Sequence, residues 1–144
     1  MTTRNRPWES YRKIATQTAS PGQLVLMLYD GAISFLEKAL AGFSYTDPLL
    51  MNQTINNNIL RAQAIINEMN SSLNMEAGEE VAVTFRRLYN YFFHRLREAN
   101  FAKRKESIEE TIARLQVLRD SWAEMLQQGL ANQSPILTEA AAAR

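Results

Sequence analysis

Residues 20–43, SPGQLVLMLYDGAISFLEKALAGF, decide the fold. The stretch opens as a helix: Ser20 is a good N-cap, Pro21 suits the first helical position, and Gln23 completes a capping box. At about 100° per residue, Leu24, Leu28, Gly31 and Phe35 form one stripe, which Val25, Leu36, Tyr29, Leu40, Ile33 and Leu26 continue round the helix. The apolar arc covers roughly 220°, whereas a helix with one buried face needs roughly 100°. Only Gln23, Asp30, Ser34, Glu37 and Lys38 remain for water. Such a helix lies at the centre of a bundle, or it packs on its own core and offers a second face to a partner. The second reading puts Leu28 and Phe35 in the core and Tyr29 and Ile33 on an open groove.

Upstream, residues 8–16 can make a short helix carrying Trp8, Tyr11, Ile14 and Ala15. It has too few turns to stand without a surface to pack on. It reads either as a cap folded over the central helix or as a permanent fifth helix. Downstream, Asp47-Pro48 repeats the cap-then-proline signal. A helix over about 48–73 follows, with Ile55, Ile59, Ala62, Ile66, Met69 and Leu73 at the alternating four-three spacing of an antiparallel bundle seam. Leu60 and Ile65 fall off that seam, and Asn52, Gln53, Asn56, Asn57 and Asn58 enrich the flanks in amides.

Gly78 marks a break. The next helix, to about residue 101, puts Val81, Phe85, Leu88, Tyr89, Phe92, Leu96 and Ala99 on one face and Phe93 beside it. Arg86, Arg87, His94 and Arg97 occupy the other face. A last helix over about 104–130 carries Ile108, Ile112, Leu115, Trp122 and Leu126, with Arg119 in the middle of the stripe. A seam arginine must reach water or pair with a carboxylate, and Asp30, at the border of the central apolar arc, is one candidate. The expected fold is all-α: an antiparallel up-down-up-down four-helix bundle with a short N-terminal cap helix. Residues 1–130 form one domain, and 131–144, with an alanine run, form a flexible tail.

At 144 residues, with 46% hydrophobic and 22% charged residues, the composition is that of an ordinary globular domain. A net charge of +1 gives no electrostatic case for nucleic acid or a membrane surface. No apolar run is long enough to span a membrane, and the N-terminus lacks the apolar core of a secretory signal. The chain has no cysteine and one histidine, His94, whose only close carboxylate is Glu98. That pair makes no metal site, and no nucleophile–base–orienter set can be assembled. Phosphate-loop, dinucleotide, nucleophile-elbow and zinc-protease signatures are also missing. The expectation is a non-enzymatic protein without a cofactor or metal.

Four blocks in order, TASPGQLVLMLYDGAISFLEKAL, ILRAQAIINEMNSSL, LYNYFFHRLREAN and LQVLRDSW, resemble the flagellar export chaperone FliS family over about residues 11–122. The resemblance implies a helical bundle in the bacterial cytosol. It implies a chaperone that binds the disordered C-terminal segment of flagellin, prevents premature polymerisation and delivers it to the flagellar type III export apparatus. The export gate and regulators of flagellin synthesis are further implied partners. Carried onto this chain, the client-binding role falls on the surplus apolar positions Tyr11, Ile14, Val25, Tyr29, Ile33, Leu36, Leu40, Leu60, Ile65 and Phe93. Two other readings keep the same residues: a binding module for another amphipathic helix, and a homo-oligomeric bundle using these faces against its own copies.

Overall fold

The computed structural model describes residues 20–73 and 79–129. Within them the chain forms four helices: α1 Pro21–Gly42, α2 Pro48–Ser71, α3 Glu79–Ala102 and α4 Lys105–Gln127. The expected helix at 8–16, with Tyr11 and Ile14, lies outside the described residues, as does the tail at 131–144.

Local chemistry sets the helix ends. The Gln23 backbone N–H donates to Ser20 Oγ, and the Ser20 N–H donates to Gln23 Oε1, both at 3.2 Å. This reciprocal cap satisfies two of the free amides at the start of α1. Asp47 caps α2 in the same spirit, its Oδ1 accepting from the Leu49 N–H at 3.2 Å. Helix α3 closes on Lys103, whose φ of 53° is left-handed, and the Arg104 N–H then reaches back to the Ala99 carbonyl at 3.1 Å. Glycine ordinarily fills such a position. Here the lysine ammonium turns back on the helix end and donates to the Asn100 carbonyl at 2.7 Å and to Asn100 Oδ1 at 2.6 Å.

The helices run antiparallel in sequence order round a square. α1 packs on α2 and α4, and α3 packs on α2 and α4. Cross-links show the directions. Trp122, late in α4, donates from Nε1 to the Gly22 carbonyl at the start of α1, at 2.7 Å. Asn100, late in α3, donates to Asn56, early in α2, at 2.9 Å. The α1–α2 corner is tight at Gly42, where a Cβ would sit 2.9 Å from Thr54 Cγ2. Leu36, Ile55, Ile59, Ile65, Ile66, Phe92, Leu96, Ile108 and Leu115 are fully buried and form the centre.

This packing corrects the expected groove on the central helix. Leu28 and Phe35 are buried as expected, but Tyr29 and Ile33 are buried too, at 2% and 6% exposure. Leu36 on α1 and Ile65 on α2 are likewise enclosed. The reason is geometric. α1 is flanked by two helices, and Tyr29 also reaches the diagonal helix α3, so most of its wide apolar arc is enclosed in the bundle, with Val25, Leu26 and Leu40 only partly covered. α2 also has two neighbours, and a single seam underestimates its buried arc.

Candidate functional site

Part of the apolar surface left over by this packing lies between α2 and α3. Leu60 is 52% exposed and Phe101 is 93% exposed. They line an open groove of about 680 Å³ together with Asn56, Gln63, Phe93, Arg97, Asn100 and Lys103. Helical spacing explains the two walls. On α2, Asn56, Leu60 and Gln63 follow the four-three pattern, and Leu49, itself exposed, falls about 20° from Leu60 some three turns earlier. On α3, Phe93, Arg97 and Phe101 are spaced four apart.

The floor is held by polar side chains whose hydrogen bonds run within the protein. Buried Gln63 donates from Nε2 to the Phe93 carbonyl at 3.1 Å, tying the two walls together. The Asn56–Asn100 bond continues to Lys103, so a hydrogen-bonded chain crosses from α2 to the end of α3. Partial burial lowers the Lys103 pKa below the usual lysine value, since a desolvated ammonium is less favourable. Rigid walls with an exposed phenylalanine fit helix-in-groove recognition, in which an incoming apolar side chain seats between fixed ones. Burying a phenylalanine of this kind is worth about 1.5–3 kcal/mol.

The other α3 face, towards α4, is electrostatically closed. Glu110 accepts from the Tyr91 hydroxyl at 2.9 Å, from Arg95 Nε at 3.1 Å and from Arg114 Nε at 3.0 Å. The Tyr91 hydrogen bond, joined by both arginines, holds its carboxyl below the ordinary glutamate pKa. Arg119 pairs with Asp30 at 2.7 Å, as its position suggested, but both side chains are partly in water, so it lies at the rim and not in a buried seam. His94 is exposed. Among the described residues no three His, Cys, Asp or Glu side chains come together to hold a metal ion. No helix there is long and apolar enough to cross a membrane.

Of the residues expected to bind a partner, Leu60 and Phe93 meet in the groove. Val25 and Tyr29 border a separate small hollow with Leu28, Met69, Ser72, Leu73, Tyr89 and Trp122. Leu40 is half-buried against the core. Phe101, two turns beyond Phe93, lines the same groove and was not among the expected residues.

The comparisons with known proteins agree with one another. A family model described as flagellar protein FliS matches residues 4–129. The flagellar secretion chaperone FliS of Bacillus subtilis (strain 168) is 31% identical over 121 residues, covering 84% of this chain and 86% of that protein. The protein of the same name from Salmonella typhimurium is 32% identical over 111 residues, 77% of this chain and 80% of its own length. That of Escherichia coli (strain K12) is 30% identical over 122 residues, 85% of this chain and 88% of its own. With a match that runs through all four described helices, the chain belongs to the FliS family of flagellar proteins.

Proposed function

We propose that the protein is a cytosolic export chaperone that holds the C-terminal segment of flagellin, with the α2–α3 groove as a main docking surface. The observation that carries this reading is Phe101, at 93% the most exposed large apolar side chain among the described residues, in one groove with Leu60 and Phe93. A disordered amphipathic segment laid here as a helix hides its own apolar stripe, which prevents polymerisation before export. Ordering the segment costs part of the interaction energy, which keeps affinity moderate and allows release. Relatives named flagellar secretion chaperones support the client class.

The test is titration with a flagellin C-terminal peptide. Saturable binding with a gain of helicity in the peptide is expected. It should be lost in Leu60→Asp and Phe101→Asp, both of which keep the parent's helical signal and melting behaviour. Self-association without peptide binding would favour the homo-oligomeric reading, and binding undisturbed by both variants would move the site elsewhere.

The small hollow beside the start of α1 supports a second element of the same reading. Trp8, Tyr11 and Ile14 precede Ser20 by 12, 9 and 6 residues in the sequence, and we propose that this segment docks on the hollow, tethering giving an effective concentration of about millimolar. In this reading the segment covers apolar surface until the client displaces it. Deleting residues 1–17 should then tighten peptide binding and leave a folded but more aggregation-prone bundle; unchanged affinity, or loss of cooperative unfolding, would remove the cap from the proposal.

A further inference from the structure

We propose that the α2–α3 groove selects an amphipathic helix bearing carboxylates, read by Arg97 and Lys103. The inference rests on the groove being the docking surface and adds the charge of what docks there. Three observations lead to it.

The first is the sign of the lining. Arg97 and Lys103 both border the groove, and no aspartate or glutamate is among the residues that line it. The neutral polar positions, Asn56, Gln63 and Asn100, are amides that cannot compensate a cation. The chain as a whole is close to neutral at +1, so this is local segregation and not a general basic character.

The second is the state of the arginines: Arg61, Arg87, Arg97 and Arg104 make no ion pair among the described residues, and of these Arg97 alone lines the groove. Arg95 pairs with Glu110 and Glu98, Arg114 with Glu110, and Arg119 with Asp30 and Asp120. Arg86 is engaged with Asn70, donating to its side chain and its carbonyl, both at 3.1 Å. Arg97 makes no ion pair or side-chain hydrogen bond among the described residues. It stands exposed between Phe93 and Phe101, one turn from each. Glu98, its neighbour in sequence, turns to Arg95 at 3.3 Å.

The third is Lys103. A left-handed φ on a residue other than glycine is strained, and such positions are retained where the side chain has a task. Here Lys103 lines the groove with its ammonium held on Asn100. An incoming carboxylate meets a cation already held in place, without the ordering cost that a free lysine imposes.

Together these features suit a helix whose apolar residue seats between Leu60 and Phe101 and whose acidic residue, three or four positions away, meets Arg97. Such a rim pair contributes chiefly to association rate, salt dependence and discrimination between partners.

The test uses the full chain with two designed helical peptides. They share one Leu/Phe stripe and differ only in flanking residues, Glu in one and Lys in the other. The flagellin C-terminal peptide is titrated in parallel. The parent should prefer the Glu peptide by about tenfold or more, with a preference that shrinks as salt rises past a Debye length of about 8 Å. Arg97→Glu should reverse the order, and Arg97→Gln should level it. Because Arg97 pairs with nothing in the bundle, both variants should melt like the parent. Leu60→Ala should weaken both peptides equally and leave the salt dependence alone.

Equal binding of the two peptides by the parent, or an unmoved preference in Arg97→Glu, overturns the inference. Flagellin binding that ignores both salt and Arg97→Glu also overturns it, while leaving the chaperone proposal intact. Preference for the Glu peptide without any flagellin binding sustains the inference and removes the client.

Discussion

Tyr29 on α1 and Tyr89 on α3 join their hydroxyls at 2.7 Å across the diagonal of the bundle, inside the core. One hydroxyl donates and the other accepts, in a place almost closed to water. Removing one should therefore cost more than removing both. Tyr29→Phe or Tyr89→Phe should each destabilise by about 1–3 kcal/mol, and the double Phe variant should fall close to the parent. Denaturant unfolding of the four proteins closes the cycle, and strictly additive losses would contradict the pairing.

The same pair dictates behaviour in alkali. Burial pushes the Tyr29 pKa up to about 12 and raises that of Tyr89 well above the usual value. The unfolded chain ionises near the ordinary tyrosine value of about 10. Below that pH neither state ionises and the pair contributes no slope. Above it the unfolded state alone releases protons, so stability should fall as pH rises from about 10 towards about 12. The double Phe variant should lose that part of the decline.

Ile33 now carries a prediction opposite to that of an exposed residue. At 6% exposure in the core, Ile33→Asp should unfold the bundle, and Ile33→Ala should cost about 2–5 kcal/mol. A folded, thermally stable Ile33→Asp protein would restore the open-groove assignment.

Glu110 should make the protein sensitive to acid. Its folded pKa is depressed, so its stabilising contribution is present above the unfolded glutamate value and is lost as pH falls through the lower, folded value. Unfolding free energy of the parent should drop across that acidic window. In Glu110→Gln the drop should be smaller, and equal slopes would show that the carboxylate is not the hub.

Gly42 offers a case where helix propensity and packing disagree. Propensity alone predicts that Gly42→Ala stabilises α1 by up to about 1 kcal/mol. The added methyl would meet the β-branched Thr54, which has little freedom to move, so a net loss of about 1–3 kcal/mol is expected. A rise in melting temperature would mean that the corner can open.

Arg119 tests the worth of a rim ion pair. Its guanidinium and Asp30 are both partly solvated, so Arg119→Met should cost only about 0–1 kcal/mol. A loss of several kcal/mol in a thermal or urea melt would show that the pair acts as a buried one.

The order and approximate extents of the four described helices were legible, and the starts of α1 and α2 were legible because they rest on local chemistry. Ser20-Pro21-Gln23 and Asp47-Pro48 mark their helices as the structure has them. The Asp30–Arg119 pair was also legible, since a charge at the edge of an apolar arc needs an opposite charge nearby. What was not legible is which neighbour covers which face. The arc of α1 is equally consistent with a buried centre and a displayed surface, and periodicity cannot choose between them. Tyr29, Ile33, Leu36 and Ile65 were misplaced for that reason. Phe101 was overlooked because it lies at the helix end, where a single aromatic residue reads as a fraying terminus.

The α1–α4 side of the square has a temporal consequence. Gly22 with Trp122 and Asp30 with Arg119 bring together parts of the chain far apart in sequence, whereas α2 and α3 are close neighbours in sequence. Contacts of such long range close late, because the loop between them must be ordered first. During synthesis the ribosome releases α1, α2 and α3 before α4 exists, and the side of α1 that α4 will cover stays bare until then. A nascent chain paused before Trp122 should therefore present more sticky surface than the finished protein, and its last helix acts as the clasp that ends that exposure.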